Sequence, residues 1–269
     1  MTISLRWLGN AGFDLRCCST RILVDPFLTR PHAWQTYAGR VAPDETAIHQ
    51  YVDACQAILV SHAHFDHFMD VPTIAERCRA EVYGSGNTCT LAGLLGVSPD
   101  RVHSVAAGDI FEVGCLQVEV LPARHPWIPG YGNGRLKPRL KPPLHLPDYR
   151  MDACYSFLIR SKDHSVLVWS STHTDDALPA DILICRAVSD TRWYRRILAQ
   201  VNPKIVIPSH WEDMFQPLSQ PPRPFFSPPR LALPPFQRIN TAHFTQTITS
   251  IDPRCLILLP QRFEWVDLP

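Results

Sequence analysis

The chain has 269 residues, enough to bury a substantial core, and its formal net charge of +1 gives no bulk attraction to nucleic acid or to a membrane surface. No apolar run is long enough to span a bilayer and no signal peptide is visible, so a soluble, cytoplasmic protein is expected. The nine cysteines are scattered, apart from the pair Cys17-Cys18, and contain no C-x-x-C, which excludes a zinc ribbon or a dithiol redox motif and leaves them as reduced thiols, mostly small core residues.

Taken in order, residues 3–8, 12–16 and 21–24 read as short strands joined by tight turns, the third ended by Asp25-Pro26. Residues 31–56 hold a loop and a short helix from Asp44, a suitable N-cap; His32, Trp34, Tyr37 and His49 there are expected to serve ordinary packing rather than to edge a pocket. Residues 57–60, Ala-Ile-Leu-Val, form a short buried strand. That strand releases Ser61-His62-Ala63-His64-Phe65-Asp66-His67 into a loop. Imidazole and carboxylate together, with no thiolate among them, suit Zn, Fe or Mn. His62 and His64 are alternate residues able to share one ion, whereas Asp66 and His67 begin the next turn, ahead of a helix over 69–78, and point beside it. Four ligands seldom reach one ion from so short a segment, so two adjacent ions are expected, each needing ligands from elsewhere in the chain.

His62-Ala63-His64-Phe65-Asp66-His67 has the form H-x-H-x-D-H, and with it the sequence resembles the metallo-β-lactamase fold superfamily of mostly hydrolytic metalloenzymes. The opening, Leu5-Arg6-Trp7-Leu8-Gly9-Asn10-Ala11-Gly12-Phe13 and then Ile22-Leu23-Val24-Asp25-Pro26-Phe27, is similar to the first hairpin of the branch containing the ascorbate-phosphate lactonases and the N-acyl-phosphatidylethanolamine phospholipases. Pro208-Ser209-His210-Trp211-Glu212-Asp213-Met214-Phe215 is similar to that branch's late histidine motif. The resemblance implies an α/β fold, a four-layer αβ/βα sandwich spanning residues 1–269 as one domain. It also implies that Asp25 steadies a ligand from below by hydrogen bonding, although an aspartate before proline is equally a turn former. Asn10 stands where relatives often carry histidine, which leaves the polar duty of that turn open.

Beyond the motif, residues 81–83, 102–105, 110–113 and 116–121 read as strands and 87–95 as a helix. This alternation, repeated in the second half, suggests two packed sheets with helices outside. His125 ends a strand, and the resemblance makes it the third ligand of the first metal, with His62 and His64. Residues 126–152 are dense in proline and glycine, which excludes helix and central strand. A lid or wall of the active site is expected there, and Arg135, Lys137, Arg139 and Lys141 suggest an anionic substrate; a solvated basic loop and an oligomer contact are the alternatives. Residues 154–160 and 165–169 read as a hairpin. After it, relatives usually carry Gly-Asp, whose aspartate bridges the two metals; here Ser171 holds that place, and a neutral hydroxyl is a poor bridge. One metal, a weakly held second metal, or a replacement ligand, with His173 first and Asp175 next, are the outcomes.

Residues 182–185 and 204–207 read as strands and 190–200 as a helix. By the resemblance His210 joins Asp66 and His67 on the second metal. Residues 212–236 form a second proline-rich loop in which Phe215, Phe225, Phe226 and Phe236 line an apolar pocket or partner surface, or fold onto the body. A helix over 241–250 and a last strand over 255–258 close the chain, and the tail carries no signal. The expected activity is that of a zinc-type metallo-hydrolase with one or two ions, Fe or Mn being possible. Water on the metal, its pKa lowered toward ~7, would give hydroxide to attack an anionic ester, lactone, amide or phosphodiester, with Asp66 orienting it and His173 completing the site. An iron-dependent redox enzyme and a non-catalytic metal-bearing protein are the alternatives. The partner expected is a small anionic substrate, with no nucleic acid, no stable membrane insertion and a homodimer as the default assembly.

Overall fold

The computed structural model describes residues 2–36, 38–126, 128, 131–187, 190–226 and 238–268. The first half runs β1 (Ile3–Gly9), β2 (Gly12–Cys17), β3 (Thr20–Val24), α1 (Glu45–Tyr51), β4 (Ala57–Leu59), α2 (Phe65–Phe68), α3 (Val71–Cys78), β5 (Glu81–Gly84), α4 (Gly86–Leu94) and β6 (Val102–Ser104). The second half continues with β7 (Ile110–Val113), β8 (Leu116–Pro122), β9 (Gly132–Asn133), β10 (Arg150–Met151), β11 (Tyr155–Arg160), β12 (Ser165–Trp169), β13 (Ile182–Arg186), α5 (Thr191–Val201), β14 (Ile205–Ser209), α6 (Thr241–Ile251), β15 (Leu256–Ile257) and β16 (Trp265–Leu268). Two seven-stranded sheets result, in the orders β16-β1-β2-β3-β4-β5-β6 and β15-β14-β13-β12-β11-β8-β7.

The period-two pattern of the strands builds the layers. Ile22 and Val24 face the second sheet while Leu23 faces outward; Ala57 and Leu59 against Ile58, and Ile182 and Ile184 against Leu183, repeat the alternation. The inner faces meet in one apolar layer that includes Trp7, Phe13, Val120, Phe157 and Ile207. Ile48 of α1, Ile74 of α3 and Leu91 of α4 cover the outside of the first sheet, while Tyr194, Ile197 and Phe244 of α5 and α6 cover the second. This is the expected four-layer αβ/βα sandwich. Side chains of Asp44, Ser85, Asp190 and Asn240 cap α1, α4, α5 and α6 by accepting a backbone N–H three residues on.

Two expectations are corrected. The strand expected over 255–258 is not the last: it shortens to 256–257, and β16, in the tail that carried no signal, pairs antiparallel with β1, Ile3 opposite Leu268. The 126–152 segment is not without regular structure, since β9 and β10 pair in parallel and a 3₁₀ turn spans Leu146–Asp148. Leu136, Leu140, Leu144 and Leu146 of this segment pack on the first outer core, while Arg135, Lys137, Arg139 and Lys141 stay exposed and Lys137 pairs with Asp148 at 2.7 Å.

Candidate metal centre

The site is assembled where strands of both sheets end on the same side. β3 delivers Asp25, β4 the 61–67 segment, β8 His125 and β14 His210. Two backbone hydrogen bonds join the sheets there: Tyr155 N donates to Ser61 O at 2.8 Å and His210 N to Asn10 O at 3.1 Å. Asn10, Asp25 and His210 have φ of 48°, 45° and 56°. Non-glycine residues in this left-handed region are uncommon, and strained backbone concentrates where a structure must aim a side chain. Gly9, at φ 101°, supplies the close approach beside them, because a Cβ there would meet Arg30 Nη2 at 2.4 Å and Glu212 Oε2 at 2.6 Å.

Two three-residue groups emerge, His62 with His64 and His125, and Asp66 with His67 and His210; in each group the potential ligand atoms lie within 4.8 Å of one another. The groups adjoin, with ring centroids of His62 and His67 3.9 Å apart, His62 and His125 4.6 Å, and His67 and His210 5.4 Å. His62, His64, Asp66 and His67 are buried; His125 and His210 are half-buried and form the open side.

The hydrogen bonds around the rings assign the lone pairs. His64 Nε2 donates to Gly132 O at 3.0 Å, His125 Nδ1 to Pro126 O at 2.6 Å, and His67 Nδ1 to Asp25 Oδ2 at 2.8 Å. Ser61 Oγ donates to Asp25 Oδ2 at 2.6 Å, so at 3.0 Å it accepts from His62 Nδ1. In each of these four rings one nitrogen is committed to an oxygen acceptor, which leaves the other nitrogen of His62, His64 and His125 with its lone pair, while His67 Nε2 faces Asp66 Oδ2 at 3.6 Å. His62 Nε2, His64 Nδ1 and Asp66 Oδ1 are buried and find no hydrogen-bond partner among the described residues. Buried polar atoms are rarely left unpaired, and three such atoms among facing imidazoles fit cation ligation, with a nitrogen and oxygen donor set suited to Zn, Fe or Mn.

Electrostatics point the same way. Burial, reinforced by the neighbouring rings, holds His62 well below its ordinary pKa, lowers His64 and takes His125 down to about 3, so these rings are neutral and able to ligate. Burial alone would raise Asp66, but His67 and His210 outweigh it and hold the carboxyl well below the usual carboxylate range. Asp66 Oδ2 lies 3.3 Å from His210 Nε2 and accepts from Asn10 Nδ2 at 3.3 Å.

Ser171 and His173 belong to neither group. Ser171 Oγ accepts the backbone N–H of Arg124 at 3.0 Å and of His173 at 3.1 Å, and Thr172 N donates to Arg124 O at 2.8 Å. The serine at the end of β12 thus braces the turn that presents His125. His173 is exposed, bonded through Nδ1 to Thr172 Oγ1 at 3.1 Å, and borders a separate cavity of about 160 Å³ with Asp175, Arg192, Trp193 and Arg196. The role of replacement ligand expected for His173 or Asp175 finds no counterpart in this geometry, because the chain turns outward after Ser171.

Sequence reasoning missed four supports. Ser61 links His62 to Asp25; its place between strand and ligands was the available signal. Glu212, with Arg30 and Arg262, forms a buried ion triad and accepts Asn10 N at 2.9 Å, and none of these carries a local sequence cue. The 126–152 segment does reach the site: Tyr131 packs edge-on against His64, centroids 5.0 Å apart. Asn87 Nδ2 donates to both Gly134 O and Arg150 O, pinning the segment's two ends to α4. His32, Trp34 and His49 are exposed, and Tyr37 lies outside the described residues. In the second loop, Phe215 and Phe225 pack onto the cores, Phe226 is exposed under Arg238, and Phe236 lies outside the described residues.

Comparison with known proteins adds context to this geometry. Residues 20–211 match the family profile described as the beta-lactamase superfamily domain. A UPF0173 metal-dependent hydrolase of Myxococcus xanthus is 32% identical over 120 residues, which cover 44% of this chain and only 38% of that relative. A UPF0173 protein of Pyrococcus furiosus is 25% identical over 209 residues, 76% of this chain and 81% of its own. Among solved structures, Igni18, described as a metallo hydrolase from Ignicoccus hospitalis, superposes with a TM-score of 0.67 at 15% identity over 100% of this chain and 99% of its own, a likeness of fold.

Proposed function

The chain belongs to the β-lactamase superfamily, and from that premise we propose that it is a metal-dependent hydrolase whose two adjacent metal positions are formed by His62, His64 and His125 and by Asp66, His67 and His210. The observation that carries this reading is the set of orphaned ligand atoms, His62 Nε2, His64 Nδ1 and Asp66 Oδ1, buried in two adjoining groups of ligand-type side chains. The name of the Myxococcus relative supports the reaction class. Bound there, zinc-type ions would supply Lewis acidity toward a carbonyl or phosphoryl oxygen and would acidify water.

The chain's own residues do the rest. Asp66, held ionised and steadied at Oδ2 by Asn10, offers Oδ1 to the second metal position, and its charge there would orient a neighbouring water toward the reacting centre. A carboxylate with so low a pKa serves orientation better than proton storage. Asp25 fixes His67 directly and His62 through Ser61, so that each ring presents its lone pair without reorganisation. Tyr131 and Gly132 bring the 131–151 segment against His64, and its exposed Arg135, Arg139 and Lys141 suit a substrate with a phosphate or carboxylate group beside an ester, lactone, amide or phosphodiester bond.

The test is elemental analysis of protein purified without added metal, alongside turnover of a p-nitrophenyl ester and of bis(p-nitrophenyl) phosphate. Two ions per chain are expected. Hydrolysis should stop with chelator and return with Zn(II), and Asp66→Ala should lower turnover by ~10²-fold or more. Hydrolysis indifferent to chelator or to Asp66→Ala would sink the proposal, and a coloured, iron-loaded protein that consumes peroxide or oxygen would replace it with redox chemistry.

A further inference from the structure

A second group of soft ligands lies at the other end of the sandwich. Cys17 closes β2, Cys18 occupies the β2–β3 turn, and Cys115 sits in the β7–β8 turn just before β8. β2 begins at Gly12 beside the Asn10 turn and β8 ends before His125, so these cysteines stand a strand's length from the histidine cluster, roughly 17–20 Å. The three sulfur atoms lie within 4.8 Å of one another.

The two turns are held together by more than the thiols. Thr20 Oγ1 accepts Cys115 N at 3.1 Å, and Cys115 Sγ donates to Cys17 O at 3.1 Å. Gly114, at φ 56°, lets the turns close, because a Cβ there would meet Thr20 Oγ1 at 2.0 Å. Cys17 is buried, Cys115 half-buried and Cys18 exposed, so the group has an inner wall and a solvent entrance. Sulfurs bound to one tetrahedral zinc at Zn–S ~2.3 Å stand about 3.8 Å apart, inside the 4.8 Å within which these three lie.

We propose that Cys17, Cys18 and Cys115 form a second, all-sulfur site that takes a thiophilic divalent ion of the Zn(II) type, distinct in place and chemistry from the histidine centre. Thiolate donors prefer such ions, whereas the imidazole and carboxylate set is the less selective one. On binding, each ligating thiol gives its proton to solvent and forms one S–metal bond; no electrons are exchanged. The site turns a junction of two hairpins into a metal-clamped one.

The probe is Co(II), added to the reduced, metal-free full chain, because sulfur-to-Co(II) charge-transfer absorption in the near ultraviolet requires thiolate ligation and the histidine centre supplies none. The band should appear in the wild type and bleach with Zn(II). It should fall at least 10-fold in Cys18→Ser, an exposed turn variant, and in Cys115→Ser, while the visible Co(II) bands of the histidine centre persist in both. Absence of the band in the wild type would overturn the proposal. So would a band that survives in both variants, or one lost in Cys154→Ser alone, whose sulfur lies 3.9 Å from His62 Nδ1.

Discussion

Asp25 shows how much of the site rests on a residue that need not touch a metal. Its carboxylate receives His67 Nδ1, Ser61 N and Ser61 Oγ, and through that hydroxyl it also fixes His62. Asp25→Asn places an amide among these donors, so one of them must face another N–H. Metal retention in chelator competition should weaken 10–100-fold, the usual cost of removing such a support, and unchanged affinity would show that the rings orient themselves. A second residue-scale prediction concerns pH. His62, His64 and His125 have folded pKa values below the ordinary ~6.5, so as pH falls the unfolded chain takes up protons that the metal-free folded chain refuses. The stability they contribute is full above ~6.5 and is lost as pH falls toward their folded values. Burial pushes His67 down too, but Asp66 and Asp25 raise it, and its contribution runs the other way, complete below ~6.5 and lost as pH rises. Three rings outweigh one, so the Tm of metal-free protein should drop between pH 7 and 4; a flat or rising Tm would contradict the neutral-ring assignment.

At the scale of elements, the end of β12 separates a brace from a ligand. Ser171 supports the His125 turn by accepting the backbone N–H of Arg124, with Thr172 N donating to Arg124 O beside it, and His173 lies beyond in solvent. His173→Ala should therefore leave metal content and turnover within about twofold, as surface changes do; a tenfold loss would return His173 to the site. This also marks where the sequence was legible. The 57–67 stretch could be read because strand and ligands are contiguous and their chemistry is local. His125 and His210 needed the family resemblance, since a single histidine after a strand has no distinguishing pattern. The left-handed backbone at Asn10, Asp25 and His210 falls on residue types that favour it, but a preference shared by every Asn, Asp and His in the chain singles none of them out. β16 has four residues, too few for a period to show, and its place beside β1 comes from tertiary pairing. The basic segment was read by its charges, whereas its interleaved leucines decide how it lies on the body.

For the whole molecule, Glu212 is the point at which distant parts of the chain are joined beneath the site. Its carboxylate receives Arg30 Nη2 at 3.0 Å, Arg262 Nη1 and the backbone N–H of Asn10, while Arg262 Nη2 reaches Leu218 O at 2.6 Å and Gln220 O at 2.7 Å. The N-terminal turn, the segment after His210 and the C-terminal segment thus meet on one anion, with Trp7 and Trp211 stacked alongside at 5.0 Å. Both guanidinium groups are almost wholly buried, and burial lowers the pKa of Arg30. Glu212→Ala would leave two buried cations repelling each other and one amide unpaired. Breaking a buried pair costs about 3–5 kcal/mol, which for a chain of this size corresponds to a fall in Tm of roughly 6–20 °C. Arg254→Ala, which removes the exposed pair with Asp252, should leave Tm where it is. Because Asn10 steadies Asp66, Glu212→Ala should also weaken the second metal position more than the first, read as partial metal loss at temperatures where the chain is still folded. Equal Tm for the two variants would mean that the triad is a passenger of the fold, and the closing of the site would have to be sought in the apolar layer between the sheets.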